Sequence, residues 1–245
     1  MSFGMFCAIP QPFHLWDARS VNLVLPCLPL VGLLIGVLWW GIAKLLMLSG
    51  IHIMLASAVV ALVPFFASGF LHLDGYMDTS DAVLSCRPLE DKLRILKDPH
   101  TGAFAAIMLA ALFVLQFAAT YAVIEKGVHL THLVSIPILS RCCAALSILC
   151  LKPLSQSSYA NMFRQNTKRI HKIFIQVIAI LGISFSYFFS QACGLIVAIA
   201  VVAGFTGAIA WTYRTLKGVS GDSAGFAIVI GELCGLIAMA VVLRG

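Results

Sequence analysis

Long apolar runs separated by short polar segments divide this chain. Runs of about 18–25 apolar residues are long enough to cross a hydrocarbon core of ~30 Å as helices. Such runs predict membrane spans near residues 23–46, 51–71, 103–124, 130–151, 173–190, 193–213 and 224–243. The turns at residues 49–50 and 190–191 are so short that their flanking spans should form antiparallel hairpins. The pattern predicts an all-α, polytopic integral membrane protein with about seven transmembrane helices.

Composition supports the same class. The chain has 245 residues, of which 61% are hydrophobic and 11% charged. Soluble domains average about 25% charged residues, so a soluble globular protein is excluded. The sequence shows no repeat of fixed period and no linker between domains. We therefore expect residues 1–245 to form a single membrane-embedded domain.

The basic residues are distributed unequally between the two predicted faces. One face carries twelve of them: Arg19, Arg87, Lys92, Arg94, Lys97, Lys152, Arg164, Lys168, Arg169, Lys172, Arg214 and Lys217. The opposite face carries three, Lys44, Lys126 and Arg244. Basic loops stay in the cytoplasm, so the face with twelve is predicted to be cytoplasmic. This asymmetry accounts for most of the net charge of +6, so we expect no nucleic-acid partner.

Three aspartates follow the second predicted span, in the segment FLHLDGYMDTSDAVLSC at residues 70–86. If the segment is helical, Asp74, Asp78 and Asp81 fall within a sector of about 60°. Three carboxylates this close repel one another unless a cation lies between them. Oxygen ligands suit Mg²⁺, with Mn²⁺ as the alternative. The spacing favours a metal site on the cytoplasmic face, and helix capping is the alternative interpretation.

The next segment predicts a short amphipathic helix at the membrane interface. In RPLEDKLRILKDPHTGAF, at residues 87–104, Leu89, Leu93 and Leu96 share one face and charged residues occupy the others. Pro99 and Gly102 end this segment before the third span. Lys97 and the adjacent Asp98 are candidates to face the metal site. An ordinary position at the lipid interface is an equally good interpretation of Lys97.

Two further places carry candidate chemistry. Arg141 lies deep in a span, where an arginine pairs with a phosphate or a carboxylate. A structural ion pair with Glu232 is the alternative. The glycine-rich segment before the last span contains Ser220, Gly221 and Asp222, and backbone N–H groups at a helix start can bind an anion. Capping of that helix by Ser220 or Asp222 is compatible with this interpretation.

These segments together resemble the cobalamin synthase family, the membrane enzymes also called adenosylcobinamide-GDP ribazoletransferases. The family pattern is close to LHLDGLADTADG…KDSRVGAFG, and this chain has LHLDGYMDTSDAVLSC followed by KDPHTGAFAA at matching spacing. The early PLVGLLIG and the late GVSGD also resemble family segments. The chain departs from the family at Ser85 and Cys86, where glycines are usual, and at Ile228 and Val229, where an Asn-Glu pair is common.

The resemblance implies the reaction. α-Ribazole, or its 5′-phosphate, condenses with adenosylcobinamide-GDP, and GMP leaves. Mg²⁺ would be held by Asp74, Asp78 and Asp81, and Asp222 would add a ligand or orient the attacking hydroxyl. The basic residues implied to contact the diphosphate are Arg141, Lys97 and Arg164. Ser220, Gly221 and Asp98 would line the substrate site.

The resemblance also implies the setting of this enzyme. It places the protein in the bacterial inner membrane as a multi-pass protein, with its active site facing the cytoplasm. A homo-oligomer and contacts with other enzymes of cobalamin biosynthesis are compatible with it.

Three other functions agree less well with the sequence. CDP-alcohol phosphotransferases need an Ala-Arg after the Asp-Gly pair, and Tyr76 and Met77 follow Asp74-Gly75 here. Aromatic-acceptor prenyltransferases usually carry two Asp-rich motifs, and this sequence has one. A transporter with a proton relay should carry ionisable groups through the membrane depth, whereas they collect at one face here. The pattern favours an enzyme.

Overall fold

The computed structural model describes residues 1–8, 18–127, 129–154, 163 and 167–243. A short helix, α1, spans Ser2–Phe6, and a 3₁₀-helix spans Ala18–Leu23. The remaining helices are α2 (Leu28–Leu48), α3 (Ile53–Ala67), α4 (Leu71–Leu84), α5 (Leu89–Ile95), α6 (Ala103–Glu125), α7 (His132–Cys150), α8 (Arg169–Leu216) and α9 (Gly221–Val242). Within these ranges the only β-type pairing is an isolated bridge between Pro153 and Val219. The predicted all-α class is confirmed.

Helix α8 contains a reversal of the chain. Its 48 residues would measure ~72 Å as one straight helix, more than twice the thickness of a hydrocarbon core. The backbone leaves the helical conformation at Ser190 and Gln191, and Ser190 Oγ lies 2.8 Å from His132 Nε2. A side-chain carbon added to Gly194 would overlap the carbonyl oxygen of Ser186. Gly194 and Ser186 would lie ~12 Å apart in an unbroken helix. The predicted hairpin turn at residues 190–191 is therefore confirmed.

Helices α3 and α4 meet at an angle of 89°. Gly69 and Phe70 adopt left-handed conformations between them, each with a φ of 62°. Ser68 donates twice to the carbonyl oxygen of Pro64, through its Oγ at 2.8 Å and through its backbone N–H at 3.2 Å, which closes the last turn of α3. The second predicted span, 51–71, therefore ends early, at Ala67. The aspartates occupy a separate helix instead of the end of that span.

The number of long apolar helices fits a multi-pass membrane protein. Helices α2, α6, α7, α8 and α9 are each long and apolar enough to cross a bilayer, and the bent α3–α4 pair passes that test when taken together. Counting the two arms of α8 separately and the bent pair once reaches the predicted seven. The number of crossings stays a prediction, because it rests on length and composition.

Close helix contacts place the functional segments. Helix α9 packs against α8, α4, α7 and α6, and α7 also packs against α2. A Cβ added to Gly36 would lie 2.6 Å from the carbonyl oxygen of Val134, so α2 approaches α7 through small residues, as is common between membrane helices. Leu93 of α5 and Leu96, which follows the helix, pack on a small buried cluster beside α4, whereas Leu89 is exposed. The predicted short helix is present, and its position at the interface stays a prediction.

Reporter fusions test the orientation. Because the face with twelve basic residues should be cytoplasmic, a reporter fused after Lys168 is expected to be cytoplasmic and one fused after Gly127 external. Alkaline phosphatase and a fluorescent protein, active on opposite sides of the membrane, give matched readouts at both positions. An external Lys168 fusion would overturn both the topology and the cytoplasmic active site.

Candidate active site

The three aspartates of the predicted stripe lie on one helix, as the spacing requires. Helix α4 is continuous over Leu71–Leu84, so the side chains of Asp74, Asp78 and Asp81 emerge from one face over about two turns. Their burial increases along the stripe: Asp74 is exposed, Asp78 is half-buried and Asp81 is buried. The stripe therefore runs from solvent into the protein.

A close crossing of α4 and α9 brings a fourth carboxylate to the stripe. A Cβ added to Gly75 would lie 2.8 Å from Asp222 Cα, and one added to Gly225 would lie 3.3 Å from the carbonyl oxygen of His72. With only glycine hydrogens between the backbones, Asp222 lies beside Asp74 and Asp78. Asp78 is within electrostatic range of both. The last predicted loop and the aspartate segment thus form one site.

Gly75→Ala is expected to disrupt this crossing. The added methyl group meets backbone atoms of Asp222, which cannot rotate away as a side chain can. We expect a loss of ~1–3 kcal/mol in the free energy of unfolding, together with a drop in turnover of about tenfold or more as the carboxylates shift. Denaturant titration and an activity assay measure the two effects. Gly207→Ala on α8 is the matched control, because a Cβ there meets nothing within 4 Å; equal effects in both variants would contradict the close-crossing account.

Asp81 points to a different partner. Its Oδ2 accepts a hydrogen bond from the backbone N–H of Gly102 at 2.6 Å, and its Oδ1 accepts one from Ala105 at 2.9 Å. These N–H groups belong to the start of α6, where a carboxylate is a favourable cap. The capping alternative therefore describes the observed position of Asp81, and its role as a metal ligand stays a prediction.

The remaining carboxylates have the chemistry that a divalent cation needs. Among the described residues, no three His, Cys, Asp or Glu side chains lie close enough together to hold a metal ion. Asp74, Asp78 and Asp222 nevertheless collect three negative charges at one crossing. Carboxylate oxygens are the ligands that Mg²⁺ and Mn²⁺ prefer, and such a cation would offset the mutual repulsion. The chemistry of these carboxylates suits a divalent cation, and a magnesium site stays a prediction.

Reciprocal hydrogen bonds fix the start of α9. Ser220 Oγ accepts from the backbone N–H of Ser223 at 3.1 Å, and Ser223 Oγ accepts from that of Ser220 at 2.8 Å. Ser220 is thus the N-cap of α9, one of the two capping residues that the sequence allowed. A Cβ added to the exposed Gly221 would meet nothing within 4 Å, so open space adjoins the first turn. Val219 exchanges backbone hydrogen bonds with the 152–154 segment, which ties the fourth loop to Asp222.

The remaining candidate residues, Asp98, Lys97 and Arg164, lie away from the helix crossing in the sequence and differ in what the structure shows of them. Asp98 accepts one hydrogen bond from the backbone N–H of His100 and another from its imidazole. The backbone hydrogen bond, and to a smaller extent the side-chain one, lower the pKa of the Asp98 carboxyl. Asp98 lines a polar cavity of about 380 Å³ with Asp81, Arg87 and His100. Lys97 is exposed. Arg164 lies outside the described residues.

Arg141 and Glu232 form a buried ion pair. Arg141 Nη1 donates to Glu232 Oε1, and Ser140 Oγ donates to the same oxygen at 2.8 Å. Arg141 is 1% exposed, and Gly32 leaves room for its side chain between α2 and α7. The ion pair with Glu232, the alternative interpretation of Arg141, is therefore present at the contact of α7 with α9.

Sequence reasoning missed His72. This residue precedes the stripe by two positions and is 6% exposed. It lines an apolar cavity of about 370 Å³ that Asp222 also lines. A histidine inside an apolar run, next to a cluster of carboxylates, was the available signal, although burial alone also explains many histidines.

Carboxylates gathered at a helix crossing, next to an apolar cavity and among long apolar helices, suit an integral membrane enzyme that acts on a phosphorylated substrate. The chain belongs to the cobalamin-5-phosphate synthase family, which it matches over residues 1–240. The resemblance stated from the motifs is confirmed.

Individual relatives support the same family membership. Over 240 residues the chain is 36% identical to the adenosylcobinamide-GDP ribazoletransferase of Clostridium botulinum (strain Alaska E43 / Type E3), covering 96% of this chain and 94% of that one. It is 35% identical over 243 residues to the protein of that name from Clostridium perfringens (strain SM101 / Type A), covering 99% and 96%. The protein of that name from Geobacillus kaustophilus is 29% identical over 237 residues, covering 95% and 90%. No solved structure matches the chain.

Proposed function

We propose that this protein joins adenosylcobinamide-GDP to α-ribazole or α-ribazole 5′-phosphate and releases GMP, forming adenosylcobalamin or its 5′-phosphate. Family membership over nearly the whole chain supports the reaction. The observation that carries the site is the crossing of α4 and α9, which places Asp222 against the aspartate stripe. The proposal places the protein in the bacterial inner membrane with this crossing at the cytoplasmic side, where the basic loops collect.

The reaction exchanges one phosphate bond for another. A ribose hydroxyl of the nucleoside attacks the phosphorus on the cobinamide side of the diphosphate, and the bond to the GMP oxygen breaks. The hydroxyl proton leaves with the attack, and GMP carries away the released negative charge. Such transfers depend on positioning and charge neutralisation more than on covalent chemistry by the protein. The roles proposed for the side chains follow from this requirement.

Asp74, Asp78 and Asp222 are the residues proposed to hold Mg²⁺. When bound there, the cation would neutralise charge on the diphosphate oxygens. Asp222 also lines the apolar cavity, so its carboxylate can accept the proton of a ribose hydroxyl and orient that group for attack. Asp81 also fixes the start of α6 next to the stripe, and its role as a further metal ligand stays a prediction.

Two cavities with different linings adjoin carboxylates of the site. The apolar cavity adjoins Asp222, and the polar cavity adjoins Asp81. Asp74 and Asp81 are seven residues apart on α4, a rise of ~10 Å. Arg87 and His100 make the polar cavity suitable for the leaving phosphate of the GDP group. Lys97 and Arg164 are proposed as further diphosphate contacts, and we assign Arg141 to its ion pair with Glu232 instead.

The proposal is tested with purified protein in lipid nanodiscs. Incubation with adenosylcobinamide-GDP, α-ribazole and Mg²⁺ is expected to yield one GMP for each joined product, counted by chromatography with mass spectrometry. Leaving out α-ribazole is the control and should abolish GMP release. Hydrolysis of the diphosphate without incorporation of the nucleoside would contradict the transferase assignment.

A further inference from the structure

The apolar cavity beside the carboxylates has the size and lining of a small-molecule subsite. Its volume is about 370 Å³, and its walls come from α1, α2, α4, α7 and α9, with Phe6, Ala144, Phe163 and Ile228 among them. Ligand pockets of small molecules begin near ~300 Å³ and are mostly apolar with a few polar groups. A corrinoid with its amide side chains exceeds this space, whereas a bicyclic aromatic base with a ribose fits. The cavity therefore suits a nucleoside.

A buried polar atom in the cavity wall lacks a partner. His72 is 6% exposed, and its Nε2 makes no hydrogen bond to any part of the chain that the structure describes. Leaving a buried ring nitrogen unpaired is costly, so such atoms point to a missing partner. A ring nitrogen of histidine donates or accepts one hydrogen bond. His72 can thus offer one directional contact to a neutral ligand.

The surroundings of His72 favour a flat aromatic ligand. The ring of Phe6 stacks on the imidazole, with ring centroids 6.3 Å apart and an interplanar angle of 22°. Gly225 packs against the backbone of His72, which holds that backbone against the first turns of α9. Because His72 and Asp222 line the same cavity, one ligand there can contact both residues.

We propose that this cavity binds the heteroaromatic base of the nucleoside substrate, with His72 Nε2–H donating to the ring nitrogen that does not carry the sugar. This inference rests on the proposed function. With the base among the apolar walls, the ribose lies towards Asp222, where its hydroxyl meets the carboxylates. The acceptor nucleoside and the phosphates thereby occupy different cavities, the phosphates in the polar one.

The contact is tested by the two Michaelis constants. His72→Phe keeps an aromatic ring but removes the donor, and is expected to raise KM for α-ribazole about ten- to hundredfold, the effect of one lost buried hydrogen bond. KM for adenosylcobinamide-GDP should stay within about twofold. His72→Gln, which restores an N–H donor, should recover most of the affinity. Ala144→Leu, which fills the cavity, should raise the same constant as His72→Phe. A rise confined to adenosylcobinamide-GDP, or none in either constant, would overturn the subsite.

Equilibrium dialysis of α-ribazole alone separates this subsite from the reaction. The wild type should bind the nucleoside, and His72→Phe should bind it at least about tenfold more weakly, even if the full protein showed no transfer. Equal affinity in both proteins, or no binding of the nucleoside by the wild type, would overturn the inference and leave the transferase proposal standing. If His72→Phe does not fold, His72→Gln and Ala144→Leu replace it in this test, because they change the same contact and the same cavity.

Discussion

Replacing Asp78 with asparagine is expected to lower turnover by about 10²-fold or more while the protein stays folded. Asp78 lies in the middle of the stripe, within electrostatic range of Asp74, Asp222 and Asp81. Asparagine has nearly the same shape, so the helix contacts are kept while the central charge of the proposed magnesium site is lost. The measurement is kcat of the purified variant at saturating substrates, with the folded fraction checked by size-exclusion chromatography.

Glu90→Gln is the matched control for this variant. It removes the charge of an exposed carboxylate on α5, away from the helix crossing. Its turnover should stay within about twofold of wild type, as for most surface substitutions. If Asp78→Asn behaved like Glu90→Gln at low Mg²⁺, the stripe would have no role in the chemistry.

Removing one partner of the buried ion pair is expected to produce the largest loss of stability. Arg141→Met leaves Glu232 charged and unpaired in the protein interior, and Glu232→Gln does the same to Arg141. Each single variant should lose about 3–5 kcal/mol in the free energy of unfolding. Denaturant titration in detergent, followed by circular dichroism, measures the loss.

The double variant separates a structural role from a catalytic one. With both charges removed, Arg141→Met/Glu232→Gln should recover most of the stability lost by either single variant, because no buried charge is left unpaired. Its turnover should recover as well, since the pair supports α7 and α9 and contacts no substrate in the proposed mechanism. A stable but inactive double variant would return Arg141 to the diphosphate site.

Periodicity and charge were sufficient to predict the helices and the stripe. The 20-residue scale of the apolar runs predicts the helical class, and the polar turn at residues 190–191 predicts the reversal inside α8. The i, i+4, i+7 spacing predicts one face for Asp74, Asp78 and Asp81, because helical geometry alone decides it. Such features depend on residues close together in the sequence.

Features that depend on distant contacts were not predictable in the same way. The bend after Ala67 needs left-handed backbone at Gly69 and at Phe70, a residue type that seldom adopts it. Asp81 turns to the start of α6 because that helix packs beside α4, which no local pattern encodes. The meeting of Asp222 with the stripe follows from the glycine crossing at Gly75. The motif spacing predicted the participants but not which of them would face one another.

Turnover as a function of free Mg²⁺ is the most direct test of the central claim, that the carboxylates at the crossing of α4 and α9 act through a divalent cation. Purified protein is treated with EDTA, passed through a desalting column and assayed for joined product across a Mg²⁺ titration. The account predicts no turnover after chelation, full recovery on addition of Mg²⁺, and a higher Mg²⁺ requirement for Asp222→Asn than for wild type. Undiminished turnover after exhaustive chelation would contradict it.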